Sequence, residues 1–390
     1  MEGVQILRRL ERIIEETDFA WSLCLVGEDQ SRKLADLIND LKRPISATGD
    51  GKQVVSGYSY WGIEPTIAWQ HACNDPYYPV MKDGIDSFAR RWRKVQSLLA
   101  EQKYHYISLG PGTGEKDRTV LGYLQPHHPD MFYVPVDMSA EMLRICVQPM
   151  NVLPYIRQFR RQLLPVQLDF SVEENVEELA GLRRRLVGDE SVLFSLLGNT
   201  AANFEDDVEL IARLSRQLLR PQDLLMLEVA TVSDINSETA RSAANEYEQS
   251  RAFREFVTSS MHQHTDLPID MDSVVFEGIE ESDRSILIKV IYRNQSGRDQ
   301  SMILPDRTVV AFPDKDTIRL LITRKYRRSA LEADLSSSAH LSVVGAAHTG
   351  SAIRGSAHRF GLDLMLLSYQ GSGGRPATTP VRDLFRDSSR

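Results

Sequence analysis

Apolar and polar residues follow distinct patterns along the chain. Residues 4–14 ("VQILRRLERII") and 30–43 ("QSRKLADLINDLKR") carry apolar side chains at helical spacing, which predicts two amphipathic helices. Residues 44–62 follow as a predicted loop rich in glycine, serine and aromatic residues. From about residue 81, short apolar runs alternate with amphipathic runs of helical period. This alternation favours a mostly parallel sheet with helices on both faces.

Five strands and five helices are predicted in the alternating region. The strands are "YHYISLG" (104–110), "MFYVPVDMS" (131–139), "LLPVQLDFS" (163–171), "SVLFSLLGN" (191–199) and "DLLMLEVA" (223–230). The helices cover residues 84–102, 117–127, 140–150, 172–186 and 204–218.

The alternation ends after the fifth strand. Residues 237–261 predict one long helix, and residues 273–294, 301–313 and 317–326 have the pattern of antiparallel strands. This part is therefore expected to be an insertion between strands of the main sheet. Residues 340–369 are expected to return to that sheet.

Composition and charge exclude several classes of protein. A formal net charge of -8 gives no overall positive field for nucleic acid or an anionic membrane. No apolar run reaches the ~20 residues of a membrane-spanning helix, and the first residues do not form a signal peptide, so a cytoplasmic protein is expected. The cysteines, Cys24, Cys73 and Cys146, are too few and scattered for a disulfide framework or a zinc site.

The first candidate for chemistry is the turn in "YISLGPGTGEKDRTVLGYL" (106–124). Gly110, Gly112 and Gly114 follow a predicted strand and precede a predicted helix, where side chains would keep a ligand away from the backbone. The spacing G-x-G-x-G differs from the dinucleotide fingerprint and from the phosphate loop of nucleotide triphosphatases. It is usual in proteins that bind S-adenosylmethionine. A tight turn without a ligand is the alternative.

Three further strand ends carry residues suited to such a ligand. Asp137 ends the second strand, where a carboxylate can accept hydrogen bonds from both ribose hydroxyls. Asp169 and Phe170 end the third, where they can take the adenine amino group and cover the ring. The stretch "LLGNTAANFEDD" (196–207) ends the fourth. Each residue alone could be a helix cap. Because the carboxyl ends of parallel strands meet at one edge of a sheet, however, these residues together are expected to line one ligand site.

Seven stretches together give a resemblance to a known family. They are "DPYYP", "SLGPGTGEKDRTVL", "FYVPVDMSAEML", "LDF", "LFSLLGNTAANFEDD", "NEYEQSRAF" and "ILPDRTVVAFPDKDTIRLLITRKY". In this order and spacing, the chain resembles the S-adenosylmethionine-dependent, histidine-specific Nα-methyltransferases of ergothioneine biosynthesis, over roughly residues 58–369. The resemblance implies an α/β, Rossmann-like class I methyltransferase with a second α+β substrate-binding domain.

The resemblance also implies roles for single residues. The glycine turn would hold the cofactor, with Lys116 at its methionine end, Asp137 at the ribose, and Asp169 with Phe170 at the adenine. The substrate residues implied are Asn203, Tyr247, either Tyr77 or Tyr78, and Tyr60 in a segment that covers the site.

One position departs from the family pattern. Members that take histidine carry a glutamate and a serine that both reach the imidazole, but Leu321 and Thr323 stand at these positions in "LLITRKY". An apolar side chain leaves a buried N–H unpaired at a cost of ~1–3 kcal/mol, so free histidine is disfavoured by up to ~100-fold. His262 and His264, two residues apart, point to different helix faces and are expected at the surface. No metal is expected.

The domains expected are an N-terminal helical extension (1–50), a substrate-covering segment (51–80), a cofactor-binding domain (81–230), an inserted substrate domain (231–325), a C-terminal completion of the sheet (326–369) and a disordered tail (370–390). The N-terminal helix packs on the chain's own body or forms a homodimer surface.

The function expected is transfer of a methyl group to the amine of an amino acid or an amino-acid-derived small molecule. Asn203 and Tyr247 would fix the carboxylate or amide end of this substrate, and a tyrosine hydroxyl would orient the amine or accept its proton through water. Two alternatives remain: the same chemistry on a natural-product intermediate or a peptide, and a non-catalytic interaction protein that keeps the fold.

Overall fold

The computed structural model describes residues 24–25, 30–43, 51–99, 102–152, 162–350 and 359–371. Residues 4–14, for which the sequence predicts a helix that packs on the chain's own body or forms a homodimer surface, lie outside the described residues, as does most of the predicted tail.

The helices and strands follow each other in this order. The α-helices are α1 (Gln30–Lys42), α2 (Ile63–Asn74), α3 (Pro79–Gln96), α4 (Glu115–His127), α5 (Ala140–Val147), α6 (Glu173–Val187), α7 (Asp207–Leu218), α8 (Ser237–Glu248), α9 (Arg251–His264) and α10 (Arg328–Ser337). The strands are β1 (Cys24–Leu25), β2 (Lys52–Gln53), β3 (His105–Leu109), β4 (Tyr133–Asp137), β5 (Val166–Gln167), β6 (Val192–Leu196), β7 (Leu224–Val232), β8 (Val274–Glu281), β9 (Ser285–Arg293), β10 (Gln300–Ile303), β11 (Val309–Phe312), β12 (Thr317–Tyr326), β13 (Leu341–Gly350) and β14 (Phe360–Tyr369).

The central sheet is parallel over six strands in the order β1-β5-β4-β3-β6-β7. Strand β14 pairs antiparallel with β7, and β13 pairs antiparallel with β14, so the C-terminal region does return to the main sheet as the sequence predicts. This α/β arrangement confirms the Rossmann-like fold class. The helices that connect the parallel strands lie on both faces, which explains why those strands are nearly continuous apolar runs.

The strands of the predicted insertion join the same sheet. Strand β12 pairs in parallel with the end of β7 through Tyr326 and Thr231, then pairs antiparallel with β9, which pairs with β8. Strands β10 and β11 form a separate hairpin. The division of the chain into domains stays a prediction.

Each face of the parallel sheet has its own hydrophobic core. In β3, Ile107 and Leu109 pack with residues of α6 and α7, while Tyr106 points to the other face and packs with Phe88 and Trp92 of α3, as expected from the alternation of side chains along a strand. A third core joins α1, α2, α8 and α9 to the antiparallel strands. It stands at the end of the sheet where the parallel strands finish.

The long helix predicted for residues 237–261 is divided in two. The first part ends at Glu248, and Ser250 begins the second, because its hydroxyl oxygen accepts a hydrogen bond from the backbone N–H of Phe253 at 2.9 Å and so caps α9. The same hydroxyl donates to Asp75 at 2.5 Å, which ties this break to the loop after α2. The sequence analysis also missed α2 and α10.

Candidate active site

The glycine turn after β3 has a backbone that favours glycine at all three positions. Gly110, Gly112 and Gly114 have φ values of 67°, 56° and 71°, in the left-handed region where other residues are strained. Space is also restricted, since a Cβ on Gly114 would lie 2.8 Å from Cys146 Sγ and 2.9 Å from its carbonyl oxygen. The predicted need for bare backbone therefore has a conformational reason as well as a ligand-related one.

A buried carboxylate fixes the helix that follows this turn. Asp117, in the first turn of α4, accepts hydrogen bonds from the hydroxyls of Tyr106 at 2.9 Å and Tyr133 at 2.6 Å. These tyrosines belong to β3 and β4, so the start of α4 is held against both strands. The N-terminal end of α4, with its unpaired backbone N–H groups, consequently faces the region beyond the strand ends.

Asp137 lies at the end of β4 with only 8% of its surface exposed. One carboxylate oxygen accepts a hydrogen bond from the backbone N–H of Ser139 at 2.9 Å. Burial, together with repulsion from Asp169, outweighs this bond and raises the pKa of Asp137 to about 7. The raised pKa indicates that this carboxylate has too few hydrogen-bond donors around it to stabilise its charge. The two hydroxyls of a ribose would supply such donors.

Asp169 lies at the next strand end and has several partners. One carboxylate oxygen accepts from the backbone N–H of Ser171 at 2.9 Å and from its hydroxyl at 2.6 Å, while the other forms an ion pair with Lys33 of α1. Burial alone would raise the pKa of Asp169, but Lys33 and Ser171 hold it below its ordinary value. The adjacent Phe170 is buried and lines the same space.

These residues surround one cavity of about 530 Å³, within the usual size range of small-molecule sites. Its lining includes all but one of the predicted cofactor residues: Gly110, Gly112, Lys116, Asp137, Asp169 and Phe170 line the cavity, and Gly114 caps α4 without being part of the lining. The donor set fits S-adenosylmethionine, because a carboxylate short of donors stands where a ribose is expected and an aromatic ring where a base is expected.

Lys116 makes a contact that the sequence analysis did not foresee. Its amine forms an ion pair with Glu228, a fully buried residue of β7. Glu228 also accepts from Arg91 at 2.5 Å and from the backbone N–H of Gly198 at 2.7 Å. Although burial by itself would raise the pKa of Glu228, Lys116 and Arg91 hold it below its ordinary value. Lys116 lines this cavity and Glu228 does not, so the cavity end beside the glycine turn presents one cation, which is already paired with a buried carboxylate.

A second, smaller space adjoins the first. It has a volume of about 30 Å³, close to that of one water molecule, and shares Tyr60, Trp69, Lys116 and Asn203 with the larger cavity. Met81 and Gly198 also line both cavities. The side chains that line only the smaller space are aromatic, apolar and polar: Tyr78, Tyr247, Phe253, Leu321, Leu362, Asn199, Thr323 and Glu228. The structure therefore brings together nearly all of the predicted substrate residues next to the cofactor cavity.

Two asparagines organise the polar side of this smaller space. Asn199, with φ of 64°, donates to Thr323 Oγ1 at 3.1 Å and accepts from the backbone N–H of Ala230 at 2.8 Å, which joins β6, β7 and β12. The loop held in this way carries Asn203, whose side-chain amide donates to the hydroxyl of Tyr60 at 3.2 Å.

The tyrosines of this site differ in exposure. Tyr77 is 67% exposed and does not line either cavity, whereas Tyr78 is 5% exposed and does. Burial raises the pKa of Tyr60, Tyr78 and Tyr247 above the ordinary value for a phenol. All three are therefore neutral hydroxyls at physiological pH, which can donate or accept hydrogen bonds but do not provide a phenolate.

The histidines predicted at the surface lie on the last turn of α9. His262 is exposed and forms a hydrogen bond with Glu64 at 2.7 Å, and His264 stacks on Trp61 at a centroid distance of 5.3 Å. Among the described residues, Cys73 and Cys146 are free and buried.

One other histidine cluster lies at the start of β3, away from both cavities. His105, His128 and Glu190 offer ligand atoms within 4.8 Å of one another. However, Nδ1 of His105 accepts a hydrogen bond from the backbone N–H of Phe132 at 2.9 Å. In a neutral ring this leaves the proton on Nε2, and a protonated nitrogen is not a metal ligand.

The family of the protein is shown by its sequence. Residues 57–349 match the model of the family described as histidine-specific methyltransferases that depend on S-adenosylmethionine, so the chain belongs to this family. It is an S-adenosylmethionine-dependent methyltransferase, as the resemblance implied. No curated protein matches the chain significantly.

Several solved structures are similar at low identity. The CcbJ methyltransferase from Streptomyces caelestis is 13% identical, over 84% of this chain and 99% of that chain, with a TM-score of 0.35. The glycopeptide N-methyltransferase MtfA, complexed with S-adenosylmethionine, is 15% identical over 74% and 88%, with a TM-score of 0.36. The magnesium protoporphyrin IX methyltransferase ChlM from Synechocystis PCC 6803 is 10% identical over 80% and 97%, with a TM-score of 0.38. These scores are low and add nothing to the family match.

Within the described part of the chain, every helix is too short or too polar to cross a membrane.

Sequence reasoning missed several residues of the site, above all Glu228, Arg91, Trp69 and Lys33. Glu228 had a signal, because it is the one charged residue in the otherwise apolar run "LLMLEVA", and a charge is rarely buried without a partner. Arg91 had none, since it lies in "ARRWRK", where periodicity does not tell a buried arginine from exposed ones. Lys33 lies on a helix outside the family match.

Proposed function

We propose that the protein transfers the methyl group to the amine of an amino acid, or of a small molecule derived from one, other than free histidine. The observation that carries this proposal is the smaller space beside the cofactor cavity. It combines amide and hydroxyl groups, from Asn203 and the buried tyrosines, with the apolar side chain of Leu321. Amides and hydroxyls suit the polar end of an amino acid, and Leu321 suits a side chain without a buried N–H.

The residues present support a mechanism based on positioning. When bound, S-adenosylmethionine supplies a methyl group on a positively charged sulfur, and transfer to nitrogen is an in-line displacement. Lys116, which lines the cofactor cavity, offers a charge complementary to the carboxylate of the methionine end. Asn203 and Tyr60, which are hydrogen-bonded to each other, would align the acceptor amine with its lone pair toward the methyl carbon.

The neutral tyrosines favour an orienting role over a basic one. Since burial raises the pKa of Tyr60 and Tyr78, their hydroxyl oxygens can accept a hydrogen bond from the amine but take up its proton poorly. The acceptor must therefore lose its proton before transfer. Enclosure in the aromatic space helps, because removal from water lowers the pKa of an ammonium group.

The smaller space has less volume than any amino acid. We therefore expect it to widen when an acceptor binds. At about 30 Å³ it has room for little more than water, so we expect its walls to move when an acceptor enters. Tyr60 and Trp69 belong to the segment before α3, which contacts α9 through the aromatic pairs of Tyr60 and Trp69 with Phe256. A shift of this segment would enlarge the space without disturbing the parallel sheet.

The test is a screen of acceptors with cofactor labelled in its methyl group and detection of the mass increase. Amino acids, decarboxylated amines and short peptides are offered at equal concentration, with histidine among them. We expect labelling of a free amine on a compound with an apolar side chain. Transfer to a hydroxyl or a carbon, or histidine as the preferred acceptor, would contradict the proposal.

Two variants assign the roles of the pocket residues. Asn203→Ala should leave cofactor affinity within about twofold and lower kcat/KM by about 10- to 100-fold, since it removes a hydrogen bond of about 1.5–3 kcal/mol to a charged group. Leu321→Gln should raise the use of histidine relative to the preferred acceptor, because its amide can pair with an imidazole. An Asn203→Ala enzyme with full turnover would exclude the assigned role of Asn203.

A further inference from the structure

Helix α1 is part of the cofactor cavity although it precedes the family match, which begins at residue 57. Five of its residues and the residue that follows it line the cavity: Arg32, Lys33, Asp36, Asn39 and Asp40, with Arg43 after the helix. The opposite side of the helix is buried, with Leu37 at 1% and Leu41 at 0% exposure, within the core that also holds Tyr58. The helix is thus packed in place and not a loose appendage.

The contact that matters most is the ion pair between Lys33 and Asp169. The two residues are 136 positions apart in sequence, and their side chains are only 6% and 17% exposed. A lysine is rarely this buried unless it has a charged partner. The pair joins α1 to the strand end that is proposed to hold adenine.

The hydrogen bonds on Asp169 leave it with one well-defined acceptor position. A carboxylate offers about four lone-pair sites, two on each oxygen. Ser171 occupies both sites of one oxygen, through its backbone N–H and its hydroxyl, and Lys33 occupies one site of the other. The remaining site suits a single N–H donor such as the 6-amino group of adenine. A 6-oxo base would instead present a carbonyl oxygen to a carboxylate.

We propose that Lys33 is a positioning residue that sets the specificity of the cofactor site for an amino-bearing base. By holding Asp169 as a charged acceptor in a fixed orientation, it makes the N-terminal helix part of base recognition. The inference rests on the proposed placement of adenine beside Asp169.

The experiment measures binding of S-adenosylhomocysteine and of its inosine counterpart, in which oxygen replaces the 6-amino group, to the full chain by calorimetry. The variants are Lys33→Met, which keeps length without charge, and Lys33→Arg, which keeps charge. The matched control is Lys42→Met, on the same helix, which removes an exposed pair with Asp306 whose side chains are 36% and 37% exposed.

We expect the unchanged protein to prefer the adenosine compound. Lys33→Met should weaken the binding of the adenosine compound by about 10- to 100-fold and reduce the preference for it. The reason is that Asp169 without its partner takes up a proton and can then donate a hydrogen bond to a 6-oxo group. Lys33→Arg should retain most of the preference, and Lys42→Met should bind both compounds within about twofold of the unchanged protein.

The ratio of the affinities for the adenosine and inosine compounds shows whether the placement of adenine or the role of Lys33 is wrong. If the unchanged protein shows no preference for the amino compound, adenine does not lie beside Asp169 and the proposed placement is wrong. If the preference exists but Lys33→Met keeps it, or weakens both compounds equally, Lys33 acts only in packing and the inference is overturned.

Two further variants test the same inference in case Lys33→Met fails to fold. Asp169→Asn should reduce the preference by itself, since an amide can either donate or accept. Lys33→Gln added to Asp169→Asn should then change the affinity ratio no further, because the group through which Lys33 acts has already lost its charge. A further change in the ratio of more than about threefold would show that Lys33 acts elsewhere.

Discussion

We expect the protonation of Asp137 to make cofactor binding depend on pH. In the protein without cofactor, burial raises the pKa of Asp137 from 3.8 to about 7. Ribose hydroxyls donate hydrogen bonds, so they need the ionised form of this carboxylate. With a pKa of 7, about a tenth of the molecules are ionised at pH 6 and about nine tenths at pH 8, and the affinity should rise by about 10-fold between these values.

The same shift affects stability with the opposite sign. Because the pKa is higher in the folded state than in the unfolded state, the protonated carboxyl contributes stability that is fully present below pH 3.8 and is lost as the pH rises through 7. At 1.36 kcal/mol for each pKa unit, the contribution of Asp137 is about 4 kcal/mol. Cofactor should recover part of this loss, so its stabilising effect on the thermal midpoint should grow from pH 6 to pH 8.

The assay is calorimetric titration with S-adenosylhomocysteine at pH 6 and pH 8, in two buffers of different ionisation enthalpy, so that proton release is counted directly. Asp137→Asn is the matched control because it keeps the shape of the side chain and cannot ionise. It should bind about 10- to 100-fold more weakly than the unchanged protein at pH 8, and the difference should narrow at pH 6. Titration of the ligand's own amine is common to both proteins and cancels in the comparison.

The reasoning would be refuted by either of two results. One is an affinity of the unchanged protein that differs by less than about twofold between pH 6 and pH 8. The other is an Asp137→Asn protein with the same pH profile as the unchanged one, which would place the responsible group elsewhere.

Two further predictions concern stability. Glu228→Gln removes the counterion of two cations and should lower the free energy of unfolding by about 3–5 kcal/mol, which for a chain of 390 residues lowers the thermal midpoint by about 4–6 °C. The control Glu209→Gln, in a surface pair whose glutamate is 56% exposed, should change the midpoint by less than about 1 °C. Equal shifts for the two variants would contradict the buried network around Glu228. Gly114→Ala should destabilise the folded protein by at least about 1–2 kcal/mol, because of the positive φ of Gly114 and the contact of the new Cβ with Cys146. The control Gly122→Ala, in α4 with open space around it, should stabilise the protein by about 0.5–1 kcal/mol. Similar thermal midpoints for the two variants would show that the turn tolerates a side chain.

The cofactor end of the site could be predicted because its signals are local. Alternating apolar runs identify the parallel strands, and parallel strands bring their carboxyl ends to one edge of the sheet. Residues next to those ends, such as Gly110, Asp137 and Asp169, are therefore neighbours in space without further information. The structure places all three in one cavity.

The acceptor end depended on resemblance more than on pattern. Nothing in the periodicity of the chain joins Tyr60, Asn203 and Leu321, which come from three separate regions. The resemblance to the family implied a common pocket for them, and the structure brings them to the same small space. The choice between Tyr77 and Tyr78 was left open by the sequence, and burial separates them, since only Tyr78 faces the pocket.

The sequence by itself determined the alternation of strands and helices, the bare turn and the carboxylates at the strand ends, because each is recorded in the spacing of neighbouring residues, whereas the order of the strands in the sheet came from the structure. Only the tertiary structure decided which charges neutralise one another: Lys33 with Asp169, and Arg91 and Lys116 with Glu228, at separations of 112 to 137 residues. The physical reason is that a buried charge requires a partner in space, and spacing along a helix or strand shows which face a residue occupies without showing what that face meets.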